Sequence, residues 1–331
     1  MLRILFWQEQ HPTVHGGAET WLTGTAAGLR KLGHEVAWLQ TGQIERAVEA
    51  FKPDVVTLGT LHCFVGLENV GCLAEQRIPS IWMLHDYWPF CGPRMLLRDQ
   101  NCSDQPCEAV EGRCQGSCGS RANPEYRALV NRFFVVTGCD GAAQIMRRNG
   151  INVRAAIEEG IDTDLFRPGV KGGAWPVYAS ASGRDVWKGF HVLLQAVGPV
   201  GVKVLTGLPR EELASTLAGA ATYAFPSVYE EIWGLTLTEA MACGCAVVAS
   251  DVAGARAQVH SGMGILVPPR NPAALGAALD WLAAHPKEAG IMGEAARYHV
   301  EQEHSLIATA RRWEAVYQRV LAGERREACA I

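Results

Sequence analysis

Two glutamates, Glu231 and Glu239, stand eight positions apart in the segment Pro226-Ser227-Val228-Tyr229-Glu230-Glu231-Ile232-Trp233-Gly234-Leu235-Thr236-Leu237-Thr238-Glu239-Ala240-Met241-Ala242. The run from Leu235 to Ala242 is helix-compatible, and Cys243-Gly244 closes it, so the spacing predicts a helix starting near Gly234. Free backbone N–H groups and the positive end of the dipole make such an N-terminus a seat for phosphate. Glu231 then lies just before the seat and Glu239 just over one turn inside the helix. Carboxylates on both sides of a bound diphosphate can accept hydrogen bonds from polyol hydroxyls, and both ribose and a sugar are polyols. A buried helix flanked by solvated glutamates would explain either residue alone.

Gly183-Arg184-Asp185-Val186-Trp187-Lys188-Gly189 adds two cations. Arg184 can neutralise a diphosphate through its planar fork and Lys188 as a point charge. Gly16-Gly17-Ala18-Glu19 follows a first apolar run and opens a helix, where glycines allow close backbone approach to a ligand. No GxGxxG follows Trp7, which argues against a nicotinamide enzyme. His85-Asp86-Tyr87 follow a predicted strand, and the carboxyl end of a parallel strand is where open α/β sheets bind ligands. His62 sits beyond a neighbouring strand as a weaker candidate. No Ser-His-Asp set or HExxH is evident, so hydrolysis by those routes finds no support.

The elements that must position these residues alternate as strand and helix, which argues for parallel sheets with crossover helices. In the first half the predicted strands are Arg3–Trp7, Glu35–Leu39, Val55–Leu58, Ser80–Leu84 and Phe133–Val136, with helices at Ala18–Lys31 and Ile44–Phe51. The second half begins again with Val177–Ala181, then helix Phe190–Val197, strand Val202–Thr206, helix Pro209–Ala218 and strand Thr222–Phe225. Strands Val247–Ser250 and Ile265–Val267 follow, and then helices Pro272–His285, Lys287–Glu301 and Ser305–Ala322.

The whole constellation resembles the retaining family 4 glycosyltransferases, whose E-x7-E motif matches Glu231 and Glu239. Pro226-Ser227, Glu239-Ala240-Met241-Ala242-Cys243-Gly244, Val247-Val248-Ala249-Ser250-Asp251, Gly264-Ile265-Leu266-Val267-Pro268 and the linker Gly160–Pro168 also look like that family. The resemblance implies the α/β GT-B fold: two Rossmann-like parallel-sheet domains facing a cleft, with the C-terminal helix crossing back to the first. Residues 1–157 would form the acceptor-side domain, 158–168 the linker, 169–304 the nucleotide-sugar domain and 305–331 the crossover helix and tail. Val202–Pro226 is short for the family, holding little more than one strand-helix unit.

The resemblance also implies a retaining sugar transfer from a nucleoside diphosphate to an acceptor hydroxyl, with His85 contacting the sugar. His85, Glu231, Lys188 and Arg184 form the implied catalytic set. Gly16, Gly17, Arg184, Lys188, Gly207, Trp233, Gly234, Leu235 and Glu239 bind the donor. Asp86, Tyr87 and His62 face the acceptor. No cofactor or catalytic metal is implied, and UDP is the expected nucleotide. A glycan, lipid-linked or small-molecule acceptor fits. Rival readings are a nucleotide-sugar epimerase of the same fold, which needs no acceptor, and a non-catalytic nucleotide-sugar-binding subunit.

The bulk numbers suit this reading. The chain has 331 residues, 48% hydrophobic and 19% charged, with a net charge of −4. Such a length accommodates two domains, and the charge gives no reason to expect nucleic acid. Met1–Trp7 is too short for a signal peptide and reads as a first strand, and no apolar run approaches a membrane span. The expected location is cytoplasmic, and peripheral attachment at the inner face of the plasma membrane is compatible with it. Of 11 cysteines, Cys91, Cys102, Cys107, Cys114 and Cys118 cluster in a loop within 89–119. Their spacing is looser than paired CxxC zinc ligands, so a structural zinc at Cys102, Cys107, Cys114 and Cys118 is the lesser alternative to a loop of reduced or bridged cysteines.

Overall fold

A computed structural model describes residues 1–8, 16–40, 44–61, 67–75, 78–91, 124–172, 176–180, 186–198 and 201–323. His62, Arg184, Cys102, Cys107, Cys114 and Cys118 lie outside the described residues.

The chain forms two parallel sheets. The first contains β1 (Arg3–Gln8), β2 (Glu35–Gln40), β3 (Val55–Leu58), β4 (Ser80–Leu84), β5 (Phe134–Thr137) and β6 (Val153–Ala156), in the order β2-β1-β3-β4-β5-β6. The second contains β7 (Val177–Ser180), β8 (Lys203–Thr206), β9 (Thr222–Phe225), β10 (Ala246–Ser250) and β11 (Gly264–Val267), in the order β11-β10-β9-β7-β8. Strands β3, β4, β5 and β10 are buried along their whole length, because a parallel sheet is covered by helices on both faces. That is why these strands read as unbroken apolar runs rather than as alternation.

Both sheets carry the same topological feature. The first strand of each has neighbours reached by connections in opposite directions: β1 lies between β2 and β3, and β7 lies between β8 and β9. Open α/β sheets bind ligands in the crevice beyond the carboxyl ends of such strands. Gln8 and Gly59 border that crevice in the first sheet, and Pro226-Ser227 borders it in the second.

In the first half the helices are α1 (Gly17–Lys31), α2 (Ile44–Phe51), α3 (Leu67–Glu75), α4 (Pro124–Val130) and α5 (Asp140–Arg148). The second half has α6 (Phe190–Val197), α7 (Arg210–Gly219), α8 (Leu235–Ala242), α9 (Ala253–Gln258), α10 (Pro272–Ala284), α11 (Pro286–Glu303) and α12 (Leu306–Leu321). Most agree with the sequence reading within two residues. That reading did not include α3, α4, α5, β6 or the short α9. Val202–Pro226 holds a single β8-α7-β9 passage.

The last helix crosses back. Trp313, Val316, Tyr317 and Val320 of α12 share a buried cluster with Trp21, Leu22, Ala26 and Leu29 of α1. The Tyr317 hydroxyl lies 3.1 Å from Thr57 Oγ1 on β3. Close approach of the two helices depends on Gly28, since a Cβ there would fall 2.3 Å from the Leu306 carbonyl oxygen. Ser305 caps α12, its hydroxyl accepting from Ala308 N at 3.3 Å, while Ile161 N donates to His304 O at 2.9 Å and ties the connecting segment to this turn.

Candidate functional site

The second-domain wall is assembled from two loops zipped together. Val228 N donates to Trp187 O at 2.9 Å, and the Ser227 hydroxyl lies 3.2 Å from the same carbonyl. Gly189 makes this approach possible: its φ is +72°, and a Cβ would lie 1.7 Å from the Pro226 carbonyl oxygen. Lys188, in a short 3₁₀ turn at Val186–Lys188, then reaches Glu231, with Nζ 2.7 Å from Oε1 and 3.1 Å from Oε2. Glu231 also accepts from the hydroxyls of Ser227 at 3.0 Å and Tyr229 at 2.7 Å. Burial, and next to it Glu231, push the Tyr229 phenol well up, so it remains a neutral donor.

The structure therefore pairs two residues that the sequence reading assigned to different parts of a donor, Lys188 to the phosphates and Glu231 to the sugar. Neighbouring Glu230 takes another direction: its Oε2 accepts from Ala253 N at 2.7 Å at the start of α9.

Helix α8 begins where expected, with Gly234 as its N-cap residue at φ +134°. A Cβ at Gly234 would meet the Phe225 ring at 2.8 Å, so packing as well as backbone geometry calls for glycine. Glu239 is 1% exposed and forms an ion pair with Arg210 of α7 at 2.8 Å. Burial raises the Glu239 carboxyl above its ordinary range, and the Arg210 guanidinium opposes that shift. Neither carboxylate oxygen has a hydrogen-bond partner among the described residues, so Arg210 meets Oε1 as a close ion pair and both oxygens are buried with acceptor capacity to spare. Gly207, at φ +61° with open space where a Cβ would stand, forms the turn leading to Arg210.

The first-domain wall has a different make-up. Gln8, at the end of β1, donates from Nε2 to Glu19 Oε1 at 3.0 Å. A Cβ on Gly16 would sit 2.1 Å from Glu19 Oε2, so the Glu19 carboxylate would have to shift, whereas Gly17 faces open space. His85, just beyond β4, places Nδ1 3.3 Å from Glu159 Oε1, with Trp21 packed edge-on at 4.6 Å between centroids. The other ring nitrogen, Nε2, is buried without a partner among the described residues. Asp86 caps the following turn, accepting from Trp88 N at 3.0 Å.

Two expected wall residues lie behind the wall instead. Tyr87 and Trp233 are buried at 0% and 2% exposure, and Trp233 packs on His304 at 5.1 Å. Aromatic side chains of this size bury more apolar area inside than at a wet surface, so the core takes them. Leu235 is likewise buried, leaving its backbone as the part available to a ligand.

The two walls adjoin. A Cβ on Gly138, beyond β5, would touch Ile232 at 3.0 Å, and the charges of Glu230 and Glu231 reach the Tyr87 phenol. A cavity of about 800 Å³ lies elsewhere, near Pro176, Thr222 and Gly244 at the amino ends of the second sheet, away from these residues.

Sequence reading missed Arg210, Glu159, Gln8, Ser227 and Tyr229 as parts of the site. Of the polar residues around the site not assigned a role, Ser227 carried a signal as part of Pro226-Ser227, and Glu19 as the fourth residue of Gly16-Gly17-Ala18-Glu19. Among the described residues no group of three or more His, Cys, Asp or Glu is placed to hold a metal, and no helix is long and apolar enough to cross a membrane.

Residues 188–299 match the family model described as glycosyl transferases group 1. A D-inositol 3-phosphate glycosyltransferase from Streptomyces bingchenggensis is 37% identical over 121 residues, covering 35% of this chain and 26% of the relative. The matches span between 23% and 31% of the first curated relatives' length. Among solved structures, sucrose-phosphate synthase from Thermosynechococcus elongatus aligns over 97% of this chain and 100% of its own, with a TM-score of 0.75 and 16% identity. Anabaena HepE in complex with UDP-glucose aligns over 96% of this chain and 100% of its own, at a TM-score of 0.68 and 17% identity. These likenesses, with the two parallel sheets and the crossover helix, identify the fold as GT-B.

Proposed function

We propose that this chain, whose residues 188–299 match the model of the glycosyl transferases group 1 family, moves a sugar from a nucleoside diphosphate to an acceptor hydroxyl. The observation that carries the reading is the pair of buried carboxylates flanking the start of α8, each held by its own cation: Glu231 by Lys188 and Glu239 by Arg210. A diphosphate at the helix N-terminus would meet Lys188 on one side, and polyol hydroxyls would reach Glu231 and the Glu239 carboxylate on either side. UDP is the nucleotide we favour, because the HepE structure holds UDP-glucose.

As the bond to the diphosphate breaks, negative charge grows on the leaving oxygen and positive charge on the sugar. Lys188 is already oriented by Glu231, so it stabilises the developing charge without having to reorganise, which is the main rate-enhancing term in such sites. Arg184, which follows β7 in sequence, is assigned to the same charge. Glu231 accepts from the sugar's hydroxyls and so discriminates among donors. On the first-domain wall, His85, oriented by Glu159, directs its unpartnered Nε2 to the sugar, while Asp86 serves the acceptor. In a retaining transfer the acceptor attacks from the face that the diphosphate leaves, and its proton passes to the departing phosphate oxygen. The reaction fits glycan, polysaccharide or glycoconjugate synthesis and a cytoplasmic enzyme drawing on soluble nucleotide sugars, with the domains divided at 158–168.

The test is incubation with UDP-, GDP- and ADP-sugars, with and without a panel of sugar, lipid-linked and polyol acceptors. Acceptor-dependent diphosphate release, with the product's anomeric configuration matching the donor's, is the expected result. Donor isomerisation without an acceptor would replace transfer with epimerase chemistry.

A further inference from the structure

Arg210 stands out because nothing in its sequence surroundings distinguishes it. It opens α7 beside Glu211 and Glu212, where an arginine ordinarily lies in solvent. Instead, Nη1 is 2.8 Å from Glu239 Oε1, and the guanidinium lies over the Phe166 ring with Cζ 4.9 Å from its centroid. Phe166 is itself fully buried. The arginine is thus held on one side by an aromatic face and on the other by a carboxylate, a geometry suited to guanidinium and not to ammonium.

A carboxylate as buried as Glu239 is costly without a partner, and it would lower that cost by taking up a proton. A protonated carboxyl keeps less acceptor capacity for a diol. We infer that Arg210 is a positioning residue for nucleotide binding: clamped by Phe166, it keeps Glu239 ionised and aimed so that its carboxylate, whose oxygens have no hydrogen-bond partner among the described residues, can accept from vicinal hydroxyls of the donor's ribose. This inference rests on the proposed transferase reading and adds to it a residue that acts through Glu239.

Among the described groups facing Glu239, Tyr223 on β9 is pushed up by burial and Cys243 beyond α8 is pushed up to about 12. Both remain neutral through the ordinary pH range. Glu239 is therefore the group whose titration changes when Arg210 is removed. The sign follows from the charges: losing the cation raises the Glu239 carboxyl further, so binding weakens as pH falls and recovers as pH rises.

The experiment is calorimetric titration of UDP, GDP and ADP into the full chain at pH 6 to 9. The variants are Arg210→Met, Arg210→Lys, Glu239→Gln and the Arg210→Met/Glu239→Gln pair, with a thermal melt on each. Arg210→Met should weaken the best diphosphate about tenfold at pH 6 and recover toward pH 9. Arg210→Lys keeps a cation near Glu239 but loses the planar stack on Phe166, so its affinity should fall between those of the native chain and Arg210→Met with a weaker pH dependence than Arg210→Met, and the double variant should bind no worse than Glu239→Gln. Should Arg210→Met melt below the assay temperature, the lysine and double variants carry the comparison alone, because neither leaves a buried carboxylate without a cation. A loss independent of pH and equal in both Glu239 backgrounds would overturn the inference while leaving the transferase reading intact. If the native chain binds none of the three diphosphates, the functional reading fails and the inference with it.

Discussion

The two walls of the site solve different physical problems. The second-domain wall holds its charges as tight opposite pairs, Lys188 with Glu231 and Arg210 with Glu239. The first-domain wall relies on Gln8 donating to Glu19 and His85 meeting Glu159, beneath a packed Trp21. Each cation is already held in place by a carboxylate, so a diphosphate would add a second anionic partner to an oriented cation rather than replace the first. The carboxylates, amide and imidazole of the first wall can accept from or donate to hydroxyls, which would suit a sugar and its acceptor, and the Gly16-Gly17 backbone at the start of α1 is the part of that wall that could meet phosphate. On the proposed reading, a division of labour between donor and acceptor sides would have an electrostatic basis, independent of the sugar.

The largest expected effect attacks the cationic wall where it meets the reaction. Lys188→Ala should lower kcat and kcat/KM together by about a hundredfold or more, the loss seen when one stabilising donor is removed from a developing anion. A raised KM with intact kcat in steady-state assays would reduce Lys188 to a donor-holding role and leave the leaving group to Arg184 and the α8 N-terminus.

Next in size is Glu239→Gln, which should weaken nucleotide binding by about 1.5–3 kcal/mol, some tenfold to a hundredfold. Calorimetry showing unchanged affinity would remove Glu239 from the site and dissolve the contrast between the walls on that side.

The junction between the walls offers a pH test. His304 is lowered to about 3 by burial first and then by His299, Arg312 and His260. Glu158 lies 3.6 Å away, but burial raises that carboxyl, so it is a poor counter-ion. A histidine held neutral in the fold stabilises fully above its unfolded value of about 6.5 and loses that contribution as pH falls toward 3. Stability should therefore drop by up to about 1.4 kcal/mol per pH unit below 6.5, and His304→Asn should flatten that slope in thermal melts. An unchanged slope would mean that other groups govern acid stability.

The smallest effect belongs to the first wall. Glu159→Gln keeps an acceptor for His85 Nδ1 while removing the charge, so kcat should fall several-fold and UDP affinity should stay constant. A parallel loss of UDP affinity would show that the walls are not separable in function.

Much of this was legible in the chain. The start of α8 at Gly234 could be read because helix signals are local: a glycine, a helix-forming run and a Cys-Gly stop. The strands could be read because two-sided burial writes unbroken apolar runs. The wall residues that escaped notice, Arg210 and Glu159, look like ordinary surface charges in sequence, one beside two glutamates at a helix start and the other in an acidic pair. The resemblance placed Trp233 and Tyr87 on the wall, yet their ring area drew them into the core.

What the sequence alone determined was therefore the alternation of elements, the helix start between two glutamates, and the glycines at Gly16, Gly189 and Gly234 that allow close approach. The first two depend on interactions within a few residues, whereas the sequence marks the glycines without showing what they approach, such as the Pro226 carbonyl beside Gly189. The tertiary structure decided which charges meet. Lys188 and Glu231 are 43 positions apart and His85 and Glu159 are 74 apart, and each pair is joined only because sheet order brings distant strand ends to one edge. It also decided that Glu230 caps α9 while Glu231, one residue on, enters the site. Adjacent side chains of one type differ in sequence by nothing that reports direction, and only the packed backbone supplies it.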